Sequence, residues 1–193
     1  RFEMKTKMIF VLSLFLLSLI SCFPAYAAIK GDTISVDVDF QEPVITPSTS
    51  MPGYSHIEMK GLCSLGEVGE PVLPIKGVNI LITPETKVKN VELILGEKVT
   101  LPGTYKIEPG QRSYPLSQIN NIKIAPDQPK PEIYGNNVIY PAQIHKHTST
   151  QYKMGYGIAI IELHPVEYNP AIGKITYYKK ITVLVRLENV PNP

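Results

Sequence analysis

The chain has 193 residues, 44% of them hydrophobic and 19% charged, which excludes an intrinsically disordered polymer and allows one sizeable core. Eighteen prolines and thirteen glycines exclude an architecture of long helices and suit a β domain with frequent turns. The formal net charge of +2 resides in the first 27 residues; beyond them sixteen basic and sixteen acidic side chains balance, which leaves no case for nucleic-acid binding or electrostatic membrane binding.

The chain opens on a targeting segment. Met4 is the expected start, with residues 1–3 read as read-through, and Lys5 and Lys7 form a basic n-region. The apolar run at 8–20 is too short to span a bilayer comfortably, which takes about 20 residues. Two exits follow. Ala25-Tyr26-Ala27 is an A-x-A site with cleavage between Ala27 and Ala28, and Leu19-Ile20-Ser21-Cys22 resembles a lipobox in which Cys22 is lipidated. Either exit predicts an exported domain, extracellular or on a bacterial cell surface or envelope. A-x-A cleavage leaves only Cys63, which rules out an internal disulfide.

Residues 29–40 alternate, with Ile34, Val36, Val38 and Phe40 on one face, and predict a half-buried strand. Asp37 and Asp39 on its other face read as solvated side chains, since no Asp-x-Asp-x-Asp-Gly loop surrounds them. Residues 41–53 read as a loop, 54–60 as a short strand, and 61–74 as irregular chain whose tail lies extended over the edge of the core. Strands are predicted at 75–83 and 87–95, with brief ones at 99–101 and 104–107. Residues 111–141, with Pro115, Pro126, Pro129, Pro131 and Pro141, offer only 119–124 and 138–140 as possible strands; so long a stretch without firm elements is usually functional or mobile. Residues 144–152 are polar. The best-patterned stretch, 154–187, predicts three β segments forming one sheet: a run at 157–163, a turn around Asn169-Pro170, and an alternating strand from Lys174 to Leu187 in which Leu184 half-covers the second face.

Reactive constellations are sparse. His145-x-His147 has metal-ligand spacing, yet no third ligand is evident nearby, and a polar loop with two histidines is the plainer reading. Cys63 lies between Leu62 and Leu65 without a histidine-rich or glycine-flanked catalytic motif, which predicts a buried or half-buried thiol and no catalytic role. Gly-x-Ser-x-Gly, His-Glu-x-x-His, Walker and dinucleotide motifs are absent from the sequence, and no cofactor or metal is expected.

Several strings together resemble one family. They are Gly69-Glu70-Pro71-Val72-Leu73-Pro74 before a Val/Ile strand, Tyr140-Pro141-Ala142, and Met154-Gly155-Tyr156-Gly157. The strongest is Pro165-Val166-Glu167-Tyr168-Asn169-Pro170 followed by Gly173-Lys174-Ile175. In order and spacing, over roughly 54–187, they resemble the propeptide of gingipain-type cysteine endopeptidases, with Gly69, Pro71, Pro74, Pro165, Tyr168, Asn169 and Pro170 carrying the motif. The resemblance implies an all-β domain, an antiparallel β-sandwich of jelly-roll-like form behind a signal peptide. Such a domain assists folding of a caspase-like catalytic domain in cis and keeps it latent. The catalytic His and Cys belong to that downstream domain, so this chain is expected to be no enzyme. The expected division is 1–27 signal peptide, 28–53 first strand and Pro-rich loop, 54–188 the propeptide β domain, and 189–193 the start of a linker to a catalytic domain that the chain stops short of.

Latency requires an irregular loop laid into the catalytic cleft, and 111–137 is the candidate. The family's preference for basic residues at the cleavage subsite implies Lys123 or Lys130, then Arg112, as the inserted side chain. Lys130-Pro131 is a poor peptide to cleave, because proline lacks the N–H. Each of these three also reads plainly as a solvated loop charge. Two rival functions stand beside this one: an extracellular β-sandwich binding module, with Tyr152, Tyr156, Tyr177 and Tyr178 as an aromatic platform or with a lipid anchor on Cys22, and a free-standing secreted peptidase inhibitor.

Overall fold

The computed structural model describes residues 28–30, 32–115 and 125–190. The strands are β1 (Ala28–Lys30), β2 (Thr33–Asp39), β3 (Val44–Pro47), β4 (Ser55–Glu58), β5 (Cys63–Leu65), β6 (Leu73–Ile82), β7 (Thr86–Leu95), β8 (Lys98–Thr100), β9 (His145–Lys153), β10 (Tyr156–Leu163), β11 (Val166–Asn169), β12 (Lys174–Tyr178) and β13 (Lys180–Asn189). One short helix, α1 (Pro131–Tyr134), precedes β9. The fold is all-β, and the named strand pairs are antiparallel.

Two four-stranded sheets, ordered β1-β2-β13-β7 and β5-β6-β10-β9, make the body. Alternation explains their packing. Ile181, Val183, Val185 and Leu187 of β13 are buried, as are Val78, Ile80 and Ile82 of β6 and Ala159, Ile161 and Leu163 of β10. All join one core, which a period of two allows when each sheet covers one face. A three-stranded sheet, β11-β12-β8, and the β3-β4 hairpin extend that core with Val166, Tyr168, Ile175 and Ile57.

Several expectations need correction. The last three β segments do not form one sheet: β10, the β11–β12 pair and β13 belong to three. The expected continuous strand from Lys174 to Leu187 divides at Lys179, whose amide donates to Glu97 O and whose carbonyl accepts from the Phe40 amide, passing the chain from one sheet to the next. The strand expected at 29–40 folds back as β1 against β2, with Ile29 opposite Ile34. Three strands, β3, β5 and β9, occupy stretches read as loop, irregular chain and polar segment. Conversely, 104–107 and 138–140 contribute only single bridges, Ile107 with Ser55 and Tyr140 with Tyr168. The possible strand at 119–124 and both signal-peptide exits, with Cys22 and Ala27, lie outside the described residues.

Candidate functional site

The candidate loop rises and descends from a floor built by residues 66–72. Gly69 sits at φ +82°, where a side chain would be strained, and a Cβ there would also stand 2.9 Å from Gln128 O. That left-handed residue turns the chain, so 69–74 does not run simply extended. The turn carries both feet of the loop. On the rising side, the Gly69 amide donates to Gly110 O and the Gly110 amide to Glu70 O, at 2.9 and 2.8 Å. On the descending side, the Lys130 amide donates to Gly69 O at 2.8 Å. Pro71 bridges Pro109, a pairing that costs no donor since neither has an N–H. Gly110 leaves no room for a side chain: a Cβ would lie 2.4 Å from the carbonyl oxygens of Gly66 and Glu67.

Side chains reinforce the footing. Glu70 accepts from Lys130 Nζ at 2.6 Å and from the Tyr140 hydroxyl at 2.8 Å. Burial pushes the Glu70 carboxyl up, but the bonds from Lys130 and Tyr140 and the lysine's charge outweigh it and hold the group below its ordinary range. Higher on the loop, the Arg112 amide donates to Asp127 Oδ2 at 2.9 Å and Arg112 Nε donates to Oδ1 at 2.9 Å. The Asp127 amide donates in turn to Gln111 Oε1 at 2.8 Å. The guanidinium bonds, and then the Arg112 amide, keep Asp127 below the usual carboxylate range. α1 begins directly after Lys130 with Pro131 at its first turn, and Tyr134 from it donates to Ile107 O at 2.8 Å.

The second motif supports the same region from beneath. Tyr168 is buried; its hydroxyl donates to Tyr105 O at 3.0 Å and accepts from the Ile107 amide at 3.3 Å. Its main chain exchanges two bonds with Tyr140. Asn169 donates to Asn137 Oδ1 at 2.8 Å, Pro170 opens the turn to β12, and Pro165 O accepts from the Tyr178 amide. Pro74 lies buried at the start of β6. The motif residues Gly69, Pro71, Tyr168 and Asn169 thus brace the segments that start and finish the loop.

Of the three basic candidates, Arg112 and Lys130 are each held by a carboxylate of this domain, and Lys123 lies outside the described residues. The roles of Asp127 and Gln111, and that of Glu70 inside the Gly69–Pro74 string, escaped the sequence reading. No local pattern marks them, since their partners lie fifteen or more positions away or are main-chain groups.

Beside the rising foot, Glu108 accepts from Ser48 Oγ, from Ser50 Oγ at 3.2 Å, and faces His56 Nδ1 at 2.5 Å. His56 Nε2 is 3.1 Å from Glu58.

Cys63 corrects the expectation of a buried or half-buried thiol: it is exposed on β5, an edge strand. His145 and His147 sit on a strand, not in a polar loop, and among the described residues no group of three or more His, Cys, Asp or Glu side chains is placed to hold a metal ion. The four tyrosines form no common platform, because Tyr177 and Tyr178 are core residues while Tyr152 and Tyr156 are exposed.

Comparison with known proteins adds to this geometry. The family model described as Propeptide_C25 matches residues 33–193. No curated protein sequence matches the chain. Among solved structures, the chain resembles one described as a complex of Porphyromonas gingivalis RgpB pro- and mature domains, with TM-score 0.65 and 14% identity over 86% of this chain and 83% of that one. It also resembles one described as giving structural insight into zymogenic latency of gingipain K from the same organism. There the TM-score is 0.70 and the identity 16%, over 89% of this chain and 96% of that one. At such identities the likeness is one of fold.

Proposed function

Because this chain belongs to the Propeptide_C25 family, matched over 33–193, we propose that it covers and restrains a gingipain-type cysteine peptidase domain in cis, assisting its folding and keeping it latent. As a propeptide it is not itself the peptidase. One similar structure is described as a complex of pro- and mature domains and another as bearing on zymogenic latency, which supports that partner. The unit begins earlier than the motifs do, since β2 pairs with β13 and is integral to the main sheet. Residues 1–27 act as the export leader and 28–189 as the propeptide, since Asn189 still pairs with Thr86 at the end of β13, and 190–193 open a linker.

The single observation that carries the mechanism is the footing of the loop. Arg112 and Lys130, the other two basic candidates, spend their charges on Asp127 and Glu70, and between Arg112 and Asp127 the only basic residue is Lys123. That leaves Lys123 as the basic residue we assign to the basic-specific subsite. A domain that binds only the folded peptidase stabilises it by mass action, and tethering raises its effective concentration.

The test is to titrate the domain into the catalytic domain encoded by the same precursor, found by reading the coding sequence beyond Pro193. Lys123→Ala should weaken inhibition by roughly 30-fold or more, as loss of a buried anchor does. Full inhibition by that variant would remove Lys123 from the cleft, and a stop codon at 194 would favour a free-standing inhibitor.

A further inference from the structure

The Arg112–Asp127 contact joins residues fifteen positions apart at the surface, where an ordinary ion pair adds little to global stability. This one has unusual construction. Asp127 Oδ2 takes the Arg112 amide and Oδ1 the guanidinium Nε, while the Asp127 amide and carbonyl are held by the two ends of the Gln111 side-chain amide, at 2.8 and 3.3 Å. Two adjacent residues of the rising limb therefore grip the main chain and the side chain of one residue of the descending limb. Below it, Lys130 is held to Glu70 and Gly69, so the descending limb is fixed at two levels.

A segment that enters a cleft from unrestrained limbs loses closure entropy when it binds, and one whose limbs are already joined has lost that entropy on folding. We infer that Asp127 is a positioning residue: through Arg112 and Gln111 it fixes the spacing of the two limbs that flank residues 116–124, and acts on the peptidase only through them. The inference rests on the latency reading above. It assigns Arg112 a role different from the inserted side chain considered for it on sequence grounds.

The experiment is a double-mutant cycle on the domain. Inhibition constants against the catalytic domain of the same precursor are measured for the unaltered domain, Arg112→Ala, Asp127→Ala and the double variant, each with its thermal midpoint. Expected is a loss of about three- to tenfold in inhibition for either single variant and no further loss in the double, since the two act as one unit. The midpoints should stay within about 2 °C of one another, and Asp127→Glu should recover part of the loss. Inhibition unchanged in Asp127→Ala overturns the inference. So do additive losses, or a larger loss for Arg112→Ala than for Asp127→Ala, which would mean that Arg112 meets the peptidase directly. A matching collapse of the thermal midpoint overturns it in favour of a general structural role. If the unaltered domain fails to inhibit, the latency reading itself falls, and this outcome is distinct from the others.

Discussion

His56 is flanked by two carboxylates, and Glu108 is the nearer. Its hydrogen bond to Glu108 raises the imidazole above its ordinary value against the opposing effect of burial. A histidine raised in the folded state contributes stability that is complete below the unfolded value, near 6.5, and is lost as pH climbs through the raised one. Glu108 behaves oppositely. Burial pushes it up, the bonds from Ser48 and His56 more than reverse that, and its contribution is present above the ordinary carboxylate value and lost in acid. The pair is thus most stabilising between the ordinary carboxylate value and the ordinary imidazole value, and weakens as pH passes beyond either. Urea midpoints of the domain should fall as pH rises past neutrality, and His56→Gln should flatten that decline; an unchanged slope in the variant would exclude His56 as its source. Tyr168 teaches the complementary lesson. Its place in the Pro-x-x-Tyr-Asn-Pro string singled it out, but its reason is a hydroxyl answering two main-chain groups at Tyr105 and Ile107, sixty or more positions away.

Among the elements, the floor under the loop is the most sensitive to small changes. A methyl at Gly110 would drive into two carbonyl oxygens that cannot rotate away, whereas one at Gly77 of β6 meets nothing within 4 Å. Gly110→Ala should cost about 3 kcal/mol of stability, and Gly77→Ala should be neutral or slightly stabilising, by about 0.5 kcal/mol. Chemical denaturation of the two variants checks the contrast. Legibility also divides at this scale. The strands β6, β7, β10 and β13 were readable because a period of two or an apolar run records burial in the residues themselves. β3 hid behind Pro47, and β9 behind its histidines and threonines, since a strand at a sheet edge need not be apolar. The break at Lys179 had no glycine or proline to announce it and follows from hydrogen bonds to Glu97 and Phe40. The loop was legible as an excess of proline, but its clasp was not, because a single aspartate between Pro126 and Gln128 looks like any solvated charge until its partner is seen.

At the level of the whole molecule, a cover that recognises only folded peptidase must raise that peptidase's stability by the free energy of binding. With the domain a hundredfold above its dissociation constant, the increment is about 2.7 kcal/mol. Calorimetry of the catalytic domain with and without added propeptide should show the upward shift; inhibition without any shift would separate latency from assisted folding.

The topology has a consequence for the order in which the strands can pair. β13 lies in the middle of its sheet, between β2 and β7, yet among the described strands it comes last in the chain. Until it emerges, β2 and β7 lack the strand that joins them, and the inner face of that sheet stays open. That sheet can close only after every strand of the β5-β6-β10-β9 sheet has been made, so the two faces of the core meet late in folding.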